Sequence, residues 1–147
     1  MFTGIIEEIG KIERITPIAG GMKIKIHTEK IIDDVAVNDS VCIDGVCLTV
    51  TDKTKNNFLV DAVGATLEKT TFHNIKADTS VNLERSVRLS DRLGGHLVQG
   101  HVNGIGNISE IKKLGENYLV KIIVPEELGK YLIKEGSIAI NGISLTI

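Results

Sequence analysis

The sequence contains an internal repeat. The octapeptide IDGVCLTV returns, with small changes, as INGISLTI. An offset of 97 residues places Ser40–Val50 on Ser137–Ile147, with every position identical or closely similar, and an offset of 96 places Met1–Ile15 on Leu97–Ile111. A change of one residue between the two offsets is a difference in the length of one loop. The chain therefore holds a duplicated domain, and both copies should follow one folding pattern.

The repeat predicts two domains, residues 1–92 and 97–147, with the segment 86–95 (SVRLSDRLGG) as the linker. The second copy is the shorter one, because nothing in it corresponds to Thr51–Arg92 of the first. Half a domain would leave a sheet edge unpaired and a core open, which folded proteins avoid. We therefore expect the chain to be a fragment, or its C-terminal part to be missing from this sequence.

Short apolar runs bounded by Gly, Asn or Asp predict a mostly β structure. The run at 22–26 (MKIKI) alternates with period two. Strands at regular spacing are typical of a small closed barrel, so we expect one barrel for each repeat. The other predicted strands are Val41–Val50, Asn57–Val63, Thr79–Arg85, Leu97–Val102, Tyr118–Val124 and Ser137–Ile147.

Two short helices are expected among these strands. One covers Ala65–Phe72, and the other covers Glu126–Ile133 and is started by Pro125. The isoleucines between 6 and 15 keep a spacing of three residues, which suits a helix. Gly4 and Gly10 favour a bent pair of strands there instead.

Composition excludes several classes of function. A net charge of −2 over 147 residues argues against a nucleic-acid or membrane partner held by bulk electrostatics. No apolar run reaches the roughly 18 residues that a membrane helix needs, and the first ten residues lack the pattern of a secretory signal. Cys42 and Cys47, taken as members of one strand, would point to opposite faces and stay reduced, so a cytoplasmic protein is expected.

The segment 94–104 (GGHLVQGHVNG) concentrates histidines and glycines. In a strand, His101 would share a face with Gln99 while His96 faced the other way, and this spacing does not suit a metal site. Glycines near His101 indicate a close approach of the backbone to another group. His101 is therefore a candidate acid or base near neutral pH; the alternative is a pair of solvent-exposed histidines at a linker.

Cys47 and Ser144 occupy equivalent positions of the two repeats, and Thr49 and Thr146 follow each of them by two residues. Each repeat thus offers two small polar groups on one strand face, which suits hydrogen bonding to a polar heterocycle. The alternative for Cys47 is plain burial, because free cysteine is often a core residue. No G-x-S-x-G motif is present, so a hydrolase is not supported.

Gly64, Ala65 and Thr66 stand just before a helical turn, at the start of the first predicted helix. Small residues with free backbone N–H groups at this place could bind carbonyl oxygens. The alternative is that Thr66 simply caps the helix.

Four motifs, in order, resemble the riboflavin synthase family: MFTGIIEEIG, GVCLTV, GGHLVQGHVNG and NGISLTI. The resemblance covers the whole chain. It implies an all-β fold of two tandem six-stranded Greek-key barrels, the second incomplete here, and a homotrimer built by a C-terminal helix. An association with lumazine synthase is a further expectation from this resemblance.

The resemblance also implies a reaction that uses no external cofactor and no metal. Two molecules of 6,7-dimethyl-8-ribityllumazine exchange a four-carbon unit and give riboflavin and 5-amino-6-ribitylaminouracil. Each barrel binds one molecule, and the active site forms between the N-terminal barrel of one subunit and the C-terminal barrel of a neighbour. Such a reaction depends largely on holding two substrates face to face.

Site residues follow from the matching motif positions. His101 would be the base that takes the methyl proton, Ser144 would help a nucleophile add at C7 of the partner lumazine, and Cys47 would act beside them. One departure is Glu135, which stands where the family usually has Lys, with Lys134 one residue earlier. The first pocket would use Gly4, Ile5, Ile6, Cys47, Leu48, Thr49, Asp61, Ala62, Val63, Gly64, Ala65 and Thr66, closed by Gly100, His101 and Val102; Ser144, Leu145 and Thr146 would begin the second; and Phe2 and Ser40 would support them.

Two alternatives to the enzyme remain. One is a non-catalytic lumazine- or flavin-binding protein with the same duplicated barrels. The other is a purely structural dimerisation module, which would not explain why small polar residues recur on one strand face.

Overall fold

The computed structural model describes residues 1–147, and its first repeat is a closed barrel of antiparallel strands in the order β1-β2-β5-β4-β3-β6. This Greek-key order confirms the predicted barrel. No helix of the chain is both long and apolar enough to cross a membrane. The strands are β1 Glu8–Ile18, β2 Gly21–His27, β3 Ser40–Ile43, β4 Val46–Lys53, β5 Asn57–Val63 and β6 Ser80–Arg85.

Strand β1 is one continuous strand, so the expected pair of bent strands was wrong. Its first part pairs with β6 and its second part with β2, and the register shifts between Ile12 and Arg14. Gly10 does not interrupt the strand. A Cβ at this position would overlap the side chain of Leu83, so glycine permits the close approach of β6.

The run Val41–Val50 is a hairpin and not a single strand. Asp44 and Gly45, with φ angles of 47° and 86°, form the two-residue turn of the type that matches strand twist. Cys42 and Cys47 therefore lie directly opposite each other on β3 and β4. The expectation that they point to opposite faces was wrong, because the Asp-Gly turn folds the chain back between them.

The barrel interior is filled by aliphatic side chains and a few phenylalanines. On β2, Ile24 and Ile26 point inward and are fully buried, while Lys23 and Lys25 alternate outward. Phe58 on β5 is also fully buried in the same cluster. Burial of this kind is the main stabilising contribution to a small barrel.

The helices are shorter than predicted. The first is α1, Ala65–Lys69, followed by a 3-10 helix at Thr71–Asn74; the second is a 3-10 helix at Glu126–Tyr131. Gly64, with a φ of 44°, is the residue at the N-terminal end of α1, and no side chain caps it there. The alternative in which Thr66 caps this helix is therefore wrong.

The second repeat forms two separate hairpins, β7 Asn107–Leu114 with β8 Asn117–Ile123, and β9 Ser137–Ile140 with β10 Ile143–Thr146. The second barrel is thus incomplete in this chain, as expected. Its strands expose to solvent apolar side chains whose equivalents are buried in the first repeat. Ile12 is 0% exposed, whereas its equivalent Ile108, which has the same place in the register of its hairpin, is 61% exposed.

Candidate functional site

The two repeats meet around a local two-fold axis. Phe2 forms an isolated antiparallel bridge with Val98, its own equivalent in the second repeat, through N–H···O bonds of 2.8 and 3.0 Å. The turn glycines Gly45 and Gly142 are also equivalent, and a Cβ on Gly45 would lie 2.8 Å from the Gly142 nitrogen. A residue that pairs with its own equivalent lies on the symmetry axis, so the repeats face each other as two identical subunits would. The predicted strand at Leu97–Val102 is reduced to this one bridge.

A glycine of each repeat contacts a strand of the other repeat: Gly4 contacts β10, and Gly100 contacts β4. The Ser144 N–H donates to Gly4 O at 2.8 Å, and the Cys47 N–H donates to Gly100 O at 2.9 Å. Both glycines have positive φ, 77° for Gly4 and 80° for Gly100. A Cβ on Gly4 would lie 2.7 Å from Ser144 Cβ, and one on Gly100 would lie 2.5 Å from Cys47 Cβ. Only glycine therefore permits these two contacts.

These two reciprocal contacts divide the predicted site residues into two groups. We call Cys47–Thr49 and Gly100–Val102 the first half-site, because Cys47 bonds Gly100, and group with it Asp61–Thr66, which follow the end of the β4–β5 pairing. The second half-site contains Ser144–Thr146 with Gly4–Ile6. The sequence assigned Gly4–Ile6 to the first pocket, but the structure places Gly4 against Ser144.

The first half-site lies where β4 and β5 separate. Their pairing runs from Lys53–Phe58 to Val50–Val60 and ends there. Both strands continue past this point, β4 toward Val46 and β5 toward Val63. Val102 packs against the barrel core, and the bond from Cys47 N–H to Gly100 O holds this segment against β4.

Side chains of the first half-site alternate between the barrel interior and its outer face. Leu48 and Ala62 are buried in the core, so only their backbone is available to a ligand. Cys47 is half-buried and Thr49 is exposed on the outer face. The carboxylate of Asp61 is already paired with Lys23 Nζ at 2.6 Å.

The turn after β5 stays open. Val63, Gly64 and Ala65 are exposed, and Thr66 is half-buried. A Cβ at Gly64 would meet no atom within 4 Å. This turn therefore has free space beside it.

The second half-site holds a hydrogen bond between a histidine and a serine. His96 Nδ1 and Ser144 Oγ are 2.7 Å apart, and the His96 N–H donates to Thr3 O at 3.0 Å. Sequence reasoning missed His96, because it treated the segment after Gly95 as a strand and turned this histidine away. His101, by contrast, is exposed and its side chain makes no hydrogen bond within the chain. Ile5, Leu145 and Thr146 are also exposed at this half-site.

Glu84 holds the segment that carries Gly4. This carboxylate is 3% exposed and accepts hydrogen bonds from Thr3 N–H and Thr3 Oγ1, both at 2.6 Å, and from Gly4 N–H at 3.0 Å. Hydrogen bonds to a buried charge are among the stronger ones in proteins. A single Glu inside the strand NLER gave no signal of this function in the sequence.

A cavity of about 340 Å³ lies between the barrel and residues 86–94. Its lining is charged and includes Glu7, Glu84, Arg85 and Arg88. Glu7 is already paired with Arg85 at 2.7 Å. The lining lacks Cys47 and Ser144 but includes Ile5 of the second half-site and the pair Thr3 and Glu84, so the cavity borders the second half-site.

Comparison with known proteins adds the following matches. The family model described as "Lumazine binding domain" matches residues 3–86 and 99–147. The riboflavin synthases of Actinobacillus pleuropneumoniae and Bacillus subtilis (strain 168) are each 42% identical to this chain over 147 residues, which are 100% of this chain and 68% of each relative.

Among solved structures, LumP complexed with riboflavin has a TM-score of 0.91 and 26% identity, and the match covers 100% of this chain and 80% of LumP. LumP complexed with 6,7-dimethyl-8-(1'-D-ribityl) lumazine has a TM-score of 0.88 and 26% identity, with 100% and 79% covered. The fold of the whole chain is therefore shared with these proteins.

Proposed function

The chain belongs to the riboflavin synthase family of duplicated lumazine-binding domains, and on that premise we propose that it is a riboflavin synthase. Each repeat binds one molecule of 6,7-dimethyl-8-ribityllumazine. Transfer of a four-carbon unit between the two molecules gives riboflavin and 5-amino-6-ribitylaminouracil.

The reciprocal contact between the repeats is the observation that carries this proposal. Gly100 meets Cys47 and Gly4 meets Ser144 through the same N–H···O bond. The two half-sites thus have the same backbone arrangement, but the first carries a thiol where the second carries a hydroxyl. A reaction between two identical molecules needs two related sites of this kind, one for the donor and one for the acceptor.

The proposed roles divide between the half-sites. Ser144 Oγ, hydrogen-bonded to His96, helps a nucleophile add at C7 of one lumazine. His101 takes the methyl proton of the other lumazine; its exposed imidazole has no competing partner in the chain. Cys47 and Thr49 hydrogen-bond the ring of the lumazine in the first half-site. Much of the rate comes from holding the two rings in contact.

Assembly is part of the same proposal. The first domain covers residues 1–92 and the second begins at 97. In a homotrimer, the N-terminal half-site of one subunit faces the C-terminal half-site of its neighbour, and lumazine synthase is a proposed partner. Light scattering of the purified protein, with and without ribityllumazine, measures the subunit number.

The direct test is incubation of the purified full-length protein with ribityllumazine and detection of riboflavin by chromatography and fluorescence. We expect riboflavin to form, and His101→Ala and Ser144→Ala to slow single-turnover formation by about a hundredfold or more. Ser137→Ala, at an exposed position on β9, is the matched control and should keep the wild-type rate. Unchanged rates in both His101→Ala and Ser144→Ala would show that the assigned roles are wrong.

The match to LumP complexes favours a second candidate, a protein that binds lumazine or flavin without converting it. In that case the same incubation gives a saturable fluorescence change of the lumazine and no riboflavin. A protein that binds neither compound would be a structural module, and both proposals would fail.

A further inference from the structure

Cys42 and Cys47 face each other across the β3–β4 hairpin. The turn at Asp44–Gly45 is closed by the pair Ile43–Val46, and Cys42–Cys47 is the next pair. Cys42–Cys47 is a non-hydrogen-bonded pair of this antiparallel ladder. In agreement, the Cys47 N–H donates to Gly100 O and not to Cys42. Such pairs bring the two Cα atoms to about 4.5 Å, and disulfides bridge Cα atoms about 4.4–6.8 Å apart.

The environments of the two thiols differ. Cys42 is 1% exposed and packs with Phe2 and Val98, while Cys47 is half-buried beside the first half-site. A reagent from solution can therefore reach Cys47 and not Cys42.

We propose that Cys42 and Cys47 form a dithiol pair that a low-molecular-weight disulfide, such as oxidised glutathione, converts into an intrachain disulfide. The Cys47 thiolate attacks one sulfur of the reagent, forming a mixed disulfide and releasing one glutathione. Cys42, losing its proton, then attacks Cys47 Sγ, and the second glutathione leaves. The two protein sulfurs are oxidised, the two reagent sulfurs are reduced, and the released thiolates take up both protons.

Burial supports this order of attack. It raises the pKa of Cys42 to about 12, and the negative charge of Glu84 on the neighbouring strand adds to the effect. A thiol of this kind is rarely ionised at neutral pH, so it acts second, once Cys47 is held beside it in the mixed disulfide.

Only one half-site carries this pair. In the second repeat the equivalent residues are Ala139 and Ser144, paired in the same register on β9 and β10. Oxidation would consume the Cys47 thiol and fix its side chain toward Cys42, away from the ligand. Resting on the proposed function, we expect lumazine to bind the oxidised first half-site about tenfold more weakly, since one hydrogen bond is lost.

The disulfide is tested by mass, without any ligand. The protein is incubated with oxidised glutathione, freed of reagent, unfolded and alkylated with iodoacetamide. We expect the wild type to lose the mass of two hydrogen atoms and take up no iodoacetamide, and dithiothreitol to restore both thiols. Alkylation of both cysteines, or a stable glutathione adduct on Cys47, would overturn the proposal.

Two variants copy the second repeat as controls. Cys42→Ala should stop at the glutathione adduct on Cys47, and Cys47→Ser should not react at all. The effect on binding is then measured by titration of oxidised and reduced wild type with ribityllumazine. Equal affinity would overturn the effect on the half-site. Absence of binding even to the reduced protein would instead count against the proposed function, and the mass measurement would still decide the disulfide.

Discussion

The repeated octapeptide has different surroundings in the two halves of the molecule. In the first repeat Leu48 and Val50 point into the barrel and are 6% and 0% exposed, whereas the equivalent Leu145 and Ile147 are each 43% exposed. Both copies nevertheless form the same hairpin, because their Asp-Gly and Asn-Gly turns encode it locally. Local sequence thus determines the hairpin, while burial depends on partner strands that only the first repeat has here, β5 and β6.

The largest expected effect tests the difference in burial directly. Ile12→Ala should lower the free energy of unfolding by about 3 kcal/mol, because it removes a fully buried side chain and leaves a cavity. The equivalent Ile108→Ala should change it by less than about 0.5 kcal/mol, since this side chain is largely in water. Urea unfolding of both variants measures the two values. Equal losses would mean that the second repeat has a core of its own.

The next prediction concerns the contact between the repeats. Gly100→Ala should destabilise the protein by about 2 kcal/mol or more, because positive φ disfavours alanine and its Cβ would collide with Cys47. Gly20→Ala is the matched control: its φ is 74°, but no atom lies within 4 Å of the added Cβ. Gly20→Ala should lose only the stability that alanine costs at positive φ, about 1 kcal/mol. Thermal unfolding measures the stability of both variants, and equal losses would contradict the predicted collision with Cys47.

A third prediction concerns a contact that only the first repeat has. Glu8 accepts hydrogen bonds from the Thr28 hydroxyl at 2.5 Å and from the backbone N–H groups of Glu29, Lys30 and Ile31. Burial acts to raise the pKa of Glu8, but these hydrogen bonds outweigh it and hold the pKa below its ordinary value of 4.5. A lowered pKa means that the stabilisation is complete above pH 4.5 and is lost as the pH falls through the folded-state value.

Glu8→Gln should therefore lower the stability by about 1.5 kcal/mol at neutral pH, and the gap to the wild type should close on acidification below pH 4.5. The position equivalent to Glu8 is Gly104, so the second repeat should contribute nothing to this pH dependence. Glu13→Gln, which removes an exposed partner of Lys25, is the control and should have little effect. A gap that is constant from pH 7 to the acid range would contradict the argument.

The smallest expected effect concerns the second half-site. Ser144→Ala removes the hydrogen bond with His96, which joins the end of the linker to β10, and should make local opening of the linker easier by about 1 kcal/mol. Tryptic cleavage at Arg88 and Arg92, in the linker, should then be about fivefold faster. Ser137→Ala serves again as the control. Equal cleavage rates would mean that the His96–Ser144 bond does not restrain the linker.

The sequence was sufficient to predict the barrel, but not the reciprocal contacts between the two repeats. The alternation at 22–26 was sufficient to predict β2, because this signal is local, whereas β7 was not predicted. Leu97–Val102 was assigned as a strand from its apolar residues alone, yet a strand needs a partner, and only Val98 finds one. The grouping of Gly4 with Ser144, and the bond from His96, join segments that are far apart in sequence, and no periodicity reports such contacts.

The bridge between Phe2 and Val98 has a historical consequence. A contact across a two-fold axis is the kind that two separate, identical chains make with each other. Joining two such chains into one turns an association that depends on concentration into one that the linker maintains at any dilution. Once joined, the copies no longer had to remain alike, and the divergence of Cys42 and Cys47 from Ala139 and Ser144 is of the kind that fusion permits.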